Sequence, residues 1–353
     1  MSSSFPLQVL QSSPRNLLLM GSIRSVLACL SLAALARKMS AAAAGHCVPG
    51  TSCARPAATT PGLLRLTSVP GYDKIRVNDV LLLRPTAGTQ RRCDNESEKL
   101  QNGETHVVFF PGDIQNFEQE MALQPDAAQW QSWSLECVAL TLGHRFPGSH
   151  IWVIRASSMY LHKFSNYQNF VESNLFGAPE HTPDYGAIRH LRALLGHSME
   201  QAGLPNPLLP LSGTSTPAPL PPGFTLTIVG FSKGCVVLNQ IVYELAGARA
   251  DPELRLFLDS VSDMYWLDGG HPGGSETWVT DRCALGELAS SGVSVHAHVT
   301  PYEVKDPMRA WVGREHQHFI KTLEDLGACV SQQLHFEDEP ASIENHFRVL
   351  QAF

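Results

Sequence analysis

Acidic residues are absent from the first 72 positions of this 353-residue chain. That stretch carries six basic residues and is rich in Ser, Ala and Leu. A positively charged start without acids is typical of a mitochondrial transit peptide, and we predict one over residues 1–45, followed by a flexible linker over residues 46–62. A secretory signal and a disordered extension are the alternatives, because the twelve residues from Ser25 to Ala36 are uncharged and mostly apolar.

The chain also lacks long apolar runs and basic stripes. The run from Ser25 to Ala36 is too short to cross a bilayer, so we expect no transmembrane segment. Residues 73–353 carry 20 basic and 33 acidic residues, a net charge of −13. Nucleic-acid binding depends on clustered Lys and Arg, so we expect no nucleic-acid partner.

Metal-ligand spacings are missing too. The eight cysteines include no Cys-x-x-Cys pair, which excludes the common zinc and iron–sulfur patterns and favours reduced cysteines. His296 and His298 share one face of a predicted strand, but no carboxylates converge on them. We therefore predict neither a metal nor another cofactor.

What the chain does contain is an alternation of apolar strands and amphipathic helices. Such alternation predicts an α/β fold with a mostly parallel sheet covered by helices on both faces. We assign this α/β-hydrolase-like domain to residues 63–353, with a proline-rich loop over 204–223. Strands are expected at 63–70, 77–83, 105–110, 150–155, 224–229, 263–267, 293–300 and 329–336, and helices at 134–146, 185–201, 236–245, 278–290 and 316–326.

One stretch organises the rest of the chain. An apolar, β-branched run from Phe224 to Val229 leads into Gly230-Phe231-Ser232-Lys233-Gly234 and then into a helical pattern. Strand, Gly-x-Ser-x-Gly and helix together are the nucleophile elbow of a serine hydrolase. The flanking Gly230 and Gly234 permit the tight turn, and we predict Ser232 as the nucleophile. The alternative is a plain strand-to-helix turn that happens to contain a serine.

A serine nucleophile needs a base and an acid, which in this fold follow the serine in the order acid, then histidine. His346 follows the last predicted strand and is the candidate base. Two carboxylates follow strands at suitable places. We favour Asp306 as the acid and keep Asp268 as the alternative, with Glu303 third.

The tetrahedral intermediate needs two backbone donors. We predict the N–H of Lys233, next to the nucleophile, as one of them. The other is expected from the Pro111-Gly112 loop after the strand at 105–110, as the N–H of Asp113 or Ile114. A carboxylate at Asp113 would disfavour the oxyanion unless it points away.

Several longer motifs resemble one vertebrate family, known as chromosome two open reading frame sixty-nine. The resemblance runs from about residue 63 to the C-terminus. It implies a mitochondrial protein with an α/β-hydrolase-like domain and a supporting role in respiratory-chain function, and it brings no substrate. The motifs that carry it are Phe110–Asp113, His144–Pro147, Asn174–His181, Gly230–Gln240, Tyr265–His271 and Ser342–Val349.

Two classes of function follow from these patterns. The first is a mitochondrial serine hydrolase, expected in the matrix, that acts on a small ester or thioester, such as a lipid or acyl compound. The second is a non-enzymatic scaffold or binding protein that keeps the hydrolase fold and serves a mitochondrial protein partner. A secreted hydrolase follows only if the leader is a secretory signal.

Overall fold

A computed structural model describes residues 62–85, 104–174, 178–209 and 219–353 of the chain. The predicted transit peptide, nearly all of the predicted linker and residues 210–218 of the proline-rich loop lie outside the described residues. The domain organisation therefore stays a prediction.

The described chain is built around one eight-stranded sheet whose strands lie in the order β1-β2-β4-β3-β9-β10-β11-β12. Strand β2 is antiparallel to both neighbours, while the six strands from β4 to β12 are parallel. Their bounds are β1 Leu63–Pro70, β2 Val77–Leu83, β3 Thr105–Phe110, β4 His150–Ile154, β9 Thr225–Phe231, β10 Val261–Leu267, β11 Ser294–Val299 and β12 Val330–Leu334. Since parallel strands present their carboxyl ends at one edge, the loops after β3, β9, β10 and β11 lie together.

Helices cover both faces of this sheet. Their bounds are α1 Glu118–Ala122, α2 Pro125–Ala128, α3 Leu135–Arg145, α4 Ala187–Gln201, α5 Cys235–Ala250, α6 Pro252–Leu258, α7 Arg282–Ala289, α8 Pro301–Val304, α9 Ala310–Asp325 and α10 Ile343–Ala352. One apolar core packs α4, α5, α7 and α9 against the sheet, and a second packs α3 and α10 against its other face. These three layers and the strand order confirm the predicted α/β-hydrolase-like fold.

Several elements differ from the sequence-based expectation. Helix α9 begins at Ala310, six residues before the predicted start, and α1, α2 and α6 were not predicted. The region after β4 contains two small hairpins, one formed by β5 (Ser158–Tyr160) and β6 (Phe164–Asn166) and the other by β7 (Glu172–Ser173) and β8 (Pro179–Glu180).

The cysteines and the helices within the described residues bear on two expectations from the composition. None of the four described cysteines lies in a disulfide, although only Cys235 among them is buried. Within the same ranges, no helix combines the length and the apolar character needed to cross a bilayer.

Candidate active site

The predicted nucleophile lies on a sharp turn between β9 and α5. Strand β9 ends at Phe231, a single 3-10 turn covers Ser232–Gly234, and α5 begins at Cys235. Ser232 has a φ of 51°, in the left-handed region that non-glycine residues avoid. A Cβ on Gly234 would lie 2.0 Å from the Phe110 carbonyl oxygen, so only glycine fits there. The local geometry is a tight strand-to-helix turn, as the predicted nucleophile elbow requires.

His346 reaches the same region from the C-terminal helix. The Ser342 side chain caps α10 by accepting a hydrogen bond from the Asn345 N–H, which places His346 in the first turns of the helix. The imidazole packs 4.7 Å from the Phe231 ring, beside the residue that precedes Ser232. Both Ser232 and His346 line one cavity. The fold therefore brings the predicted nucleophile and the predicted base to the same place.

The carboxylate that contacts His346 is Asp268. His346 Nδ1 lies 2.7 Å from Asp268 Oδ2. Asp268 has no solvent exposure and also accepts hydrogen bonds from the Thr300 N–H at 2.7 Å and from Thr300 Oγ1 at 2.6 Å. Three donors on one buried carboxylate fix its orientation.

Asp306, which the sequence favoured as the acid, lies in a different set of contacts. Its Oδ2 accepts a hydrogen bond from Arg309 Nε at 3.1 Å, and its Oδ1 accepts one from the Met308 N–H at 3.0 Å. Arg309 Nη1 is also 2.9 Å from Glu303 Oε2. Asp306 thus neutralises an arginine and caps a 3-10 turn, and the geometry favours Asp268 as the partner of His346.

The loop after β3 lies close to the nucleophile at Gly112. A Cβ there would lie 2.8 Å from Ser232 Cβ. The Ile114 N–H is already engaged, because it donates to the Lys163 carbonyl at 2.7 Å. Asp113 is therefore the better candidate donor from this loop, with the Lys233 N–H kept as the predicted second donor.

Asp113 and Lys233 place opposite charges near the predicted oxyanion position. Asp113 Oδ1 accepts a hydrogen bond from the Ser165 N–H at 2.7 Å, which holds the carboxylate toward β6. Burial raises the pKa of Asp113 to about 6, and nearby Lys233 opposes that rise. Burial likewise lowers the pKa of Lys233 to about 8, opposed by Asp113. Each charge thus reduces the cost of burying the other.

The cavity at this edge of the sheet is open to solvent and, with that open space included, has a volume of about 420 Å³. Several of its lining residues were not predicted from the sequence, since residues from five separate segments, which follow five different strands, meet there without any shared motif. The lining residues are Asp113, Ile114, Ser232, Gly270, His271, Tyr302, Glu303, Arg309, Ile343, His346 and Phe347.

His271, another residue of the cavity wall, is held by backbone groups. Its Nδ1 accepts a hydrogen bond from the Gly273 N–H at 2.9 Å, and its Nε2 lies 3.1 Å from the Glu276 carbonyl. Burial, reinforced by Lys233, holds the pKa of His271 well below its ordinary value. The ring is therefore a neutral part of the cavity wall.

A family model described as C2orf69 matches residues 65–209 and 212–329. The chain belongs to the C2orf69 family. It is 82% identical over 347 residues to the mitochondrial protein C2orf69 homolog of Danio rerio, covering 98% of this chain and 100% of the relative. It is 44% identical over 331 residues to the human mitochondrial protein C2orf69, covering 82% of this chain and 86% of the relative. The predicted family and the mitochondrial location are confirmed.

Solved structures similar to this C2orf69 family member include two esterases. One is a brefeldin A esterase described as a bacterial homologue of human hormone-sensitive lipase, with a TM-score of 0.42, 14% identity, and coverage of 92% of this chain and 81% of that one. The other is carboxyl esterase 2 of Tuber melanosporum, with a TM-score of 0.41, 9% identity, and coverage of 90% and 96%. The assignment of the site depends on its own geometry.

Proposed function

We propose that this C2orf69 family member is a mitochondrial serine hydrolase acting on an ester or thioester. The observation that carries the proposal is the 2.7 Å contact between His346 and the buried Asp268, made at the wall of the cavity that contains Ser232. A buried aspartate that orients a histidine beside an elbow serine is the arrangement that activates a hydroxyl for acyl transfer.

Each residue has a separate part in the reaction. Asp268 accepts a hydrogen bond from His346 Nδ1–H, which leaves Nε2 as the nitrogen that takes the proton from Ser232 Oγ. Ser232 Oγ attacks the acyl carbonyl, and the N–H groups of Lys233 and Asp113 stabilise the resulting oxyanion. His346 then gives its proton to the leaving alcohol or thiol. Attack by water, again assisted by His346, releases the acid and restores Ser232.

The cellular setting is part of the same proposal. The basic, acid-free leader favours import into the matrix. A hydrolase there would remove or recycle an acyl group on which respiratory-chain function depends. Import of the full-length precursor into isolated mitochondria, with loss of the leader and protection from added protease, tests this step.

A non-enzymatic scaffold or binding protein is the second candidate, and one observation favours it. Two carboxylates that take no part in the proposed triad, Asp113 and Glu303, line the cavity. Negative charge next to a developing oxyanion weakens catalysis unless it is compensated. A scaffold would not be affected by that charge.

Covalent labelling separates the two candidates. Purified mature protein is treated with an alkyl fluorophosphonate, which reacts with activated serines and loses fluoride. We expect labelling of the wild type and none of Ser232→Ala. The matched control Ser290→Ala removes an exposed hydroxyl at the end of α7 and is expected to label like the wild type. Failure of the wild type to label, beside a reactive reference hydrolase, would overturn the enzymatic proposal.

A further inference from the structure

Glu303 is a charged group in the cavity wall to which the proposed chemistry gives no part. It lies in α8, after β11, and its side chain is only 4% exposed. Its carboxylate packs over Gly270, where a Cβ would lie within 2.7 Å of both carboxylate oxygens. The Gly270 N–H in turn donates to the Ser232 carbonyl at 3.3 Å. Only the backbone of Gly270 therefore separates the Glu303 carboxylate from the Ser232 carbonyl.

The hydrogen-bonding capacity of Glu303 is not used up inside the protein. Arg309 Nη1 pairs with Glu303 Oε2 at 2.9 Å, but no group among the described residues donates a hydrogen bond to Glu303 Oε1. A buried acceptor without a donor costs free energy that a ligand can recover. Glu303 thus retains acceptor capacity beside the cavity.

The charges around Glu303 do not cancel. Arg309 is shared by Glu303 and Asp306, so these three groups carry a net charge of −1 when ionised. Asp113 adds another carboxylate to the wall, balanced by Lys233 behind the nucleophile. The neutral His271 contributes no compensating charge. At low local dielectric, the net negative charge favours a cation over an anion, although Arg309, whose Nη2 has no hydrogen-bond partner among the described residues, also lines the cavity.

We propose that Glu303 is a specificity-determining residue that binds a primary ammonium group of the substrate, close to the bond that Ser232 attacks. This inference rests on the proposed hydrolase function and names its substrate class, an ester or thioester with a short amino-bearing acyl or alcohol part. A primary ammonium offers hydrogen-bond donors to the unmet carboxylate oxygen, whereas a quaternary ammonium offers none. Substrates with a carboxylate or phosphate at that position are disfavoured.

Three fluorophosphonates of equal length test the proposal. Their chains end in a primary ammonium, a methyl group or a carboxylate. We expect the wild type to be labelled about tenfold faster by the ammonium probe than by the methyl probe, equivalent to about 1.4 kcal/mol. The carboxylate probe should be slowest. Equal rates for the three probes would overturn the inference while leaving the hydrolase proposal intact.

The variant Glu303→Gln should bring the ratio of ammonium to methyl rates close to one. Glu303→Asp, which keeps the charge but shortens the side chain, should keep part of the preference if the fold is intact by thermal denaturation. The matched control Glu337→Gln changes an exposed carboxylate paired with Lys305 and should leave the ratio unchanged. A ratio that survives Glu303→Gln would contradict the assignment.

If no probe labels the wild type, equilibrium binding of small compounds to Ser232→Ala still tests the role of Glu303. The absence of labelling would refute the hydrolase proposal, and calorimetry would then compare n-butylammonium with n-butanol. Tighter binding of n-butylammonium, lost when Glu303→Gln is added, would support ammonium recognition independently of catalysis. Equal binding of the two compounds would overturn it.

Discussion

Replacing Asp268 with asparagine is the sharpest test of the site because the surrounding hydrogen-bond donors determine the orientation of the new side-chain amide. The Thr300 N–H donates to Asp268 Oδ1, so the amide oxygen has to occupy that position. The amide NH₂ group then faces His346 Nδ1, in place of the oxygen that now lies 2.7 Å away. The reverse orientation would set the NH₂ group against the Thr300 N–H, donor against donor.

The magnitude follows from the tautomer that this arrangement imposes. An amide donor at Nδ1 makes Nδ1 the acceptor and moves the ring proton to Nε2, so His346 cannot accept the Ser232 proton. In serine hydrolases of known mechanism the same change lowers kcat about 10⁴-fold, or about 5.5 kcal/mol in activation free energy. Loss of charge-assisted hydrogen bonds from Thr300 should cost stability by about 1–3 kcal/mol, which lowers Tm by several degrees without unfolding the domain at 25 °C.

The assay compares second-order labelling rates of Asp268→Asn and Asp306→Asn with one alkyl fluorophosphonate. Asp306→Asn keeps an acceptor for Arg309 and is expected to lose less than about tenfold. Circular dichroism and thermal denaturation of both variants verify that they remain folded. If Asp306→Asn lost most of the rate while Asp268→Asn reacted normally, the assignment of the acid would be refuted.

Two further predictions concern stability. Gly234→Ala should destabilise the fold by at least about 3 kcal/mol in urea denaturation, because its Cβ would meet the Phe110 carbonyl, while Gly274→Ala, with no atom within 4 Å of its Cβ, should change little. For Asp113, the pKa of about 6 exceeds the unfolded value near 3.8, so the native state holds the proton longer and stability falls as pH rises from about 4 to 6. The fall amounts to roughly 1–3 kcal/mol, because the Asp113 side chain is partly open to the cavity. Asp113→Asn should remove this fall. A difference in stability between the wild type and Asp113→Asn that does not change with pH would contradict the reasoning.

The elbow could be predicted from the sequence because its geometry is local. Five consecutive residues, with glycines on either side of Ser232, determine the turn, and the strand and helix that flank it each show their own periodicity. The central sheet was predictable for a similar reason, since its buried strands are short apolar runs bounded by Gly, Pro and polar residues. His346 followed from its place after the last strand.

The acid could not be chosen from the sequence because the choice depends on long-range contacts. Asp268 and Asp306 both follow a parallel strand and therefore lie at the same edge of the sheet. What separates them is the position of Arg309, which engages Asp306, and of Thr300, which turns the Asp268 carboxylate toward His346. No pattern in the chain encodes those contacts. Short helices such as α6 were missed because seven residues hold too few turns to show a period, although its Asp251 cap was a usable signal.

Backbone strain helps to distinguish the enzymatic proposal from the scaffold proposal without reference to sequence motifs. Ile114, Ser232 and Asp268 follow the neighbouring strands β3, β9 and β10, and all have positive φ, at 69°, 51° and 45°. Each such conformation costs of order 1–3 kcal/mol for a residue other than glycine, and glycine would remove the cost. The first two side chains line the cavity, and the third holds His346. Five other non-glycine residues of the described chain also have positive φ, but they do not line the cavity. A protein that used only the outer surface of this fold would gain stability by relaxing the three positions at the cavity, so their strain supports a chemical use for it.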